Sequence, residues 1–280
     1  MTALTLSAGL WALDNVRYID ADGQEKTPPS IKGFIDASSS TLEAGWYVVT
    51  GEDVQTGTLI CQGDVHLILC DGAKLTATGK GDPYYTPGIQ VSSETNSLTI
   101  YAQSTDEQVG QLIAKGGKWA AGIGGGFEGS GSNIIINGGV VTATGGFDAA
   151  GIGGGINGSG SNITINGGVV TAQGEQAAAG IGGGQNGNGS NIIINDGTVT
   201  ANGGQSGAGI GGGFYGSGSY ITINGGKVTA TGGKSGAGVG GGYAGSGSNI
   251  TINGGTVNAN GGESASCIGG GYAGSGSDIF

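Results

Sequence analysis

The stretch GAGIGGG, Gly207–Gly213, contains the spacing G-x-G-x-x-G that lets a backbone turn approach the pyrophosphate of a dinucleotide. That chemistry needs a strand before the glycines and a helix after them, because the helix N-terminus carries the anion. Here the following residues, FYGSGS, cannot start a helix, and only Gly207 and Gly236 supply the first glycine of the pattern. No cofactor is expected at these glycines.

General acid–base chemistry has one candidate region, near the start of the chain. His66, the only histidine, lies within reach in sequence of Asp71, Lys74, Asp82, Glu94, Asp106 and Glu107. A glycosidase needs two carboxylates about 5 to 9.5 Å apart, and the repeats further on put their acidic residues in different positions, so they arrange no such pair. His66 is expected to be exposed and idle, and no catalytic residue is assigned. Cys61, Cys70 and Cys267 match no metal-ligand spacing and are expected to be small buried thiols; no metal site is assigned.

Aromatic rings offer a third chemistry, stacking against sugar rings. Tyr84 and Tyr85 lie in the insertion GKGDPYYTPG, and Trp119 lies in the loop before the first regular repeat; insertions in repeat proteins carry binding function. These three are the candidate glycan-binding residues. A further column, Phe127, Ile156, Gln185, Phe214, Tyr243 and Tyr272, follows each glycine cluster, and strand alternation from Ile210 points it inward, into a corner of the core.

The elements that must position these residues follow from a repeat. GIGGG starts at Gly122, Gly151, Gly180 and Gly209, and becomes GVGGG at Gly238 and CIGGG at Cys267, a constant 29-residue step without insertion or deletion. The unit Gly209–Ala237 holds three short strand candidates, around GIGG, YITIN and KVTAT, separated by Gly-rich turns. Alternation sends Ile210, Ile221, Ile223, Val228 and Ala230 to one side. So few aliphatics cannot offset the entropy of ordering every backbone in the unit, so coils must stack. The fold predicted is all-β: a parallel β-helix with three short strands per 29-residue coil and about eight coils, two of them degenerate N-terminal copies.

Residues 1–44 lack repeat character and read as a cap or lead-in; residues 45–280 read as the β-helix, with degenerate coils over 45–121 and regular coils over 122–280. The last coil, GSGSDIF, is incomplete, which predicts that the parent chain continues beyond residue 280. In the degenerate copy DVHLILCDGAKLTATG, Leu67 and Leu69 align with Ile221 and Ile223, His66 with Tyr220 and Leu75 with Val228, with one extra residue in the turn. Asn137, Asn166, Asn195, Asn224 and Asn253 precede Gly turns and are expected to bond one another as a ladder.

Glycine makes up 69 of 280 residues, and the formal net charge is −11. Only eight charged residues lie from Gly122 onward: Glu128, Asp148, Glu175, Asp196, Lys227, Lys234, Glu263 and Asp278. An acidic chain excludes nucleic acid as the expected partner. No secretory signal or apolar membrane span is read in it. Threonines on the third strand, such as Thr229 and Thr231, are the residues an ice-binding face would present, but the pairs are kept in only two of five regular coils.

Taken together, GWYVVTG, DVHLILCDGAKLTATG, SLTIYAQS and the repeats resemble a family of Gly-rich β-helical modules in large surface or secreted proteins of gut-dwelling Gram-positive bacteria. Such modules are often labelled carbohydrate-binding domains. The resemblance runs from about Gly45 to the end. It implies a right-handed β-helix, a cell-surface or extracellular location and a partner among host or bacterial surface polysaccharides. The function expected is a non-enzymatic stalk or adhesin. The alternatives are a phage or surface fibre without a ligand, a polysaccharide lyase or glycosidase, and an ice-binding protein.

Overall fold

A computed structural model describes residues 16–105 and 108–280. Each regular coil holds three strands, for example Ile210–Gly211, Gly218–Ile223 and Lys227–Thr231. Every one pairs in parallel with its equivalent in the next coil, as Ile210 with Val239, Gly218 with Gly247 and Lys227 with Thr256. The third strands form one eight-stranded sheet that ends on Val54–Thr56, the first and second strands form a seventeen-stranded sheet that includes Ile31–Phe34 and Thr41–Val49, and Tyr18–Ile19 and Glu25–Lys26 form a separate two-stranded sheet. The chain is therefore a parallel β-solenoid of about eight turns, with no helix among the described residues and so none that could cross a membrane.

The inward columns are the predicted ones. Ile210, Ile221, Ile223, Val228 and Ala230 have no exposed surface, and their equivalents in neighbouring coils continue the same stripes. Between them Thr222, Thr229 and Thr231 face outward and are half-buried. The Asn ladder also forms: the Nδ2 of Asn166, Asn195, Asn224 and Asn253 each donates to Oδ1 of the Asn one coil earlier, at 2.7 Å. A second column, Asn133, Asn162, Asn191, Tyr220 and Asn249, has φ between 50° and 56°, the left-handed region that Asn tolerates best after Gly.

Two glycines show what the cluster is for. Gly211 has φ +134°, and a Cβ there would lie 2.0 Å from the carbonyl oxygen of Gly240 in the next coil. A Cβ on Gly212 would lie 2.0 Å from the carbonyl oxygen of Gly216. The constraint is backbone against backbone. At Gly238, the position equivalent to Cys267, an added Cβ would likewise meet backbone, the Cys267 carbonyl oxygen at 2.6 Å.

The parallel ladder begins before residue 45. Ile31 pairs with Trp46 and Phe34 with Val48, and the long strands Thr41–Val49 and Leu59–Leu69 run side by side. Leu59–Leu69 spans what later coils divide in two: Leu59 pairs with Ile89 of a short strand, and Val65 with Leu98 of a long one. Leu98 in turn pairs with Ile134, so Val65 and Leu67, not Leu67 and Leu69, occupy the two isoleucine columns. Leu75 keeps the valine column through Leu112 and Val141. The turn between is therefore longer than the single extra residue expected. A slip of two preserves which face each residue takes, so Val65, Leu67 and Leu69 are all buried in either register.

Replacing Gly212 with Val is expected to destabilise the fold by about 3 kcal/mol or more, because rigid backbone cannot move aside. Gly57→Ala, where an added Cβ meets nothing within 4 Å, is the matched control. Urea unfolding followed by circular dichroism distinguishes them, and equal midpoints would refute the packing account.

Candidate functional site

The candidate residues lie where the loops of successive coils form one corner of the solenoid. Tyr85 and Trp119, both at positive φ (44° and 64°), come together with ring centroids 4.8 Å apart. Phe127 completes the group, 5.7 Å from Tyr85 and 5.6 Å from Trp119. The Tyr84 and Tyr85 amides donate to the Gly81 carbonyl and that of Thr86 to Lys80, which closes the loop on itself. The Phe127 amide then donates to the Tyr85 carbonyl at 3.2 Å, tying the loop to the first regular coil.

Tyr84 stands beside this trio, 67% exposed, with the Lys80 ammonium 5.3 Å from its ring. Lys118 lies 4.0 Å from the Trp119 ring. A surface cavity of about 340 Å³ is framed by Tyr84, Tyr85, Gln90, Ser92 and Phe127, and no carboxylate lines it.

Phe127 and its column do not fill the core. Phe127 is 46% exposed, Tyr272 is 55% exposed and Phe214 is half-buried. Strand alternation fails here because the strand Ile210–Gly211 is two residues long and Gly211 takes positive φ, so Phe214 sits in a turn. The column is instead a ridge. Phe214 and Tyr243 stack at 5.1 Å with planes 16° apart, and Tyr243 and Tyr272 at 5.5 Å and 12°. A parallel row runs alongside, joined by backbone hydrogen bonds from Gln185 to Asp148, Phe214 to Ala177, Tyr243 to Ser206 and Tyr272 to Ser235.

His66 is neither exposed nor idle. Its pairing places it in the Thr222 column, not that of Tyr220, because of the two-residue slip. Its ring stacks on Trp46 at 4.2 Å and 10°, Nδ1 is 3.1 Å from the Tyr101 hydroxyl, and Nε2 is 3.1 Å from Asp64 Oδ2. Tyr18 covers Trp46 and Tyr101 at 4.7 and 4.6 Å. Tyr18 thus packs the hairpin of Tyr18–Ile19 and Glu25–Lys26 onto Trp46 and Tyr101, the two rings that His66 supports. Burial first, then the charge at nearby groups, pushes the Tyr101 hydroxyl up to about 12.

Asp106 and Glu107 lie outside the described residues. A groove of about 650 Å³ runs between the hairpin turn and the Asn ladder and is lined among others by Asp20, Asp22 and Asp196. Asp20 already accepts hydrogen bonds from the amides of Asp22 and Gln24. Among the described residues no three His, Cys, Asp or Glu converge on a metal position. Cys61 and Cys70 are buried, and burial pushes their thiols up to about 12 and about 11; Cys267, expected to be buried, is exposed.

Similarity to known proteins agrees with this geometry. A family model described as "Beta helix repeat" matches residues 110–127, 134–156, 163–185, 192–214, 221–243 and 250–277. The matched segments are similar to beta-helix repeats. Five of the six segments end on the ridge column itself, at Phe127, Ile156, Gln185, Phe214 and Tyr243. No curated protein and no solved structure matches the chain.

Asp148, 8% exposed on the parallel row, has its carboxyl pushed up from 3.8 by desolvation, partly offset by the Ala177 amide. A raised folded-state value means that ionising Asp148 destabilises the fold above that value. The penalty fades as pH falls through it and is gone below 3.8, where folded and unfolded chains are both protonated. Asp148→Asn keeps the acceptor and tolerates the φ of 60°. Its melting temperature is expected to exceed that of the native protein at pH 7, with the gap closing on acidification; a gap that widens would refute this.

Proposed function

We propose that this chain is a non-enzymatic β-solenoid module of an extracellular or cell-surface protein, a stalk that also holds a glycan. The observation that carries the glycan reading is the cluster of Tyr85, Trp119 and Phe127, in which Tyr85 and Phe127, with Tyr84, line a cavity without a carboxylate and Trp119 packs behind them. Aromatic faces bury the apolar side of a pyranose, and Gln90 and Ser92 offer amide and hydroxyl groups to its rim. Trp119 and Tyr84 each carry a lysine over the ring, which a sugar would displace or use as a hydrogen-bond donor. The carboxylate beside this cavity, Asp82, is held by a hydrogen bond to the Tyr85 side chain, and no second carboxylate lines the walls to form the pair a glycosidase uses.

The stalk half rests on the ladder: coils in unbroken register hold the ridge at a fixed spacing, and a charge of −11 gives no reason to expect nucleic acid. A broad glycan array tests the binding half. The native chain is expected to give signal on surface polysaccharides, and Tyr84→Ala with Tyr85→Ala and Trp119→Ala to reduce it about ten-fold or more. An array without signal, or full signal from the triple variant, would overturn the assignment.

A further inference from the structure

The aromatic ladder on the ridge breaks at one rung. Tyr272 stacks on Tyr243 and Tyr243 on Phe214, each one coil from the next. One coil earlier the column holds Gln185, so the Phe214 face on that side has no aromatic partner. The place is hollow. A recess of about 210 Å³ opens there, with Phe147 and Phe214 as walls and Gln176, Gln185, Gln205 and the buried Asp148 around it.

We infer that this recess is a monosaccharide subsite: one neutral pyranose unit of a glycan enters the Gln185 rung, lays its C–H face on Phe214 and exchanges hydrogen bonds with the glutamine amides. The inference rests on the glycan reading proposed above and extends it to a second site with its own chemistry. Coils repeat at about 4.8 Å, close to the stacking distance of flat rings, so an inserted ring takes the position the next aromatic would have filled. The three glutamines decide what kind of ring. Each amide carries donors and an acceptor, which a phenyl ring would bury unpaired and which sugar hydroxyls satisfy. No lysine or arginine lines the recess, and Asp148 is its one ionisable group, so a uronate or sulfated sugar meets no countercharge.

Saturation-transfer NMR with methyl β-glucopyranoside, methyl β-galactopyranoside, methyl α-mannopyranoside and phenol, each added separately, tests the subsite. At least one glycoside is expected to show transfer concentrated on its ring C–H protons, with phenol weaker. Gln185→Phe, which completes the ladder and fills the recess, is expected to weaken that binding about ten-fold or more while keeping the native circular dichroism. Phe214→Leu, which keeps apolar volume but removes the flat face, is expected to do the same. The recess variants are read in the background of the triple variant at Tyr84, Tyr85 and Trp119, which removes the first site: there some glycoside transfer is expected to remain, and adding Gln185→Phe or Phe214→Leu is expected to abolish it. Absence of transfer from every glycoside, stronger transfer to phenol, or unchanged binding in both recess variants would overturn the subsite. Transfer that is abolished in the triple variant alone would overturn the subsite and leave the first site standing.

Discussion

At Gly184, Gly213 and Gly242 one contact recurs: an added Cβ would fall 2.0, 2.0 and 2.1 Å from the carbonyl oxygen of the glycine one coil earlier. Backbone here packs directly on backbone, with no side chain between coils at this corner. The same glycines donate hydrogen bonds to the preceding coil, Gly213 to Gly187 and Gly242 to Gly216. Close approach and hydrogen bonding need each other, because the amides reach their acceptors only if nothing projects from Cα. A single coil has no neighbour to satisfy these groups and too few aliphatics to order itself, so the ladder forms over several coils together.

That constraint separates the molecule into parts with different freedom. Inward columns accept only residues that fill a thin interior, and so repeat as Ile, Val and Ala. The Asn columns are bound by their hydrogen bonds from coil to coil and by left-handed backbone. The ridge is bound by neither. Its backbone is held by hydrogen bonds that ignore side-chain identity, so the column can carry Phe127, Ile156, Gln185, Phe214, Tyr243 and Tyr272 on one scaffold. Variation within an otherwise strict repeat therefore marks the positions open to recognition.

The period, the inward columns and the Asn ladder are legible in the sequence because each follows from a local rule that recurs in every coil. Three features are not. Alternation misplaces the ridge when it is carried past Gly211, where a two-residue strand ends and the backbone turns to positive φ. The register of Leu59–Leu69 comes out shifted by two because the rule that sorts inward from outward has period two, and Val65, Leu67 and Leu69 satisfy it equally. His66 reads as idle because Trp46 and Tyr101, which pack against it, are distant from it in sequence and lie outside the strict repeat.

The same reasoning explains why the residues proposed for binding cluster where the repeat is imperfect. The GKGDPYYTPG insertion departs from the period and can close on itself through Gly81 and Lys80, with only Tyr85 and its neighbours touching the first regular coil. Such a loop adds rings without disturbing the ladder, since the ladder's donors and acceptors are already paired. The Gln185 rung is the converse case: nothing is inserted, and a polar residue takes a position flanked by an aromatic ladder. Either change alters the ridge surface while the carbonyl-to-glycine contacts beneath it stay as they are. On this scaffold the recognition proposed rests on what departs from the repeat, and stability on what does not.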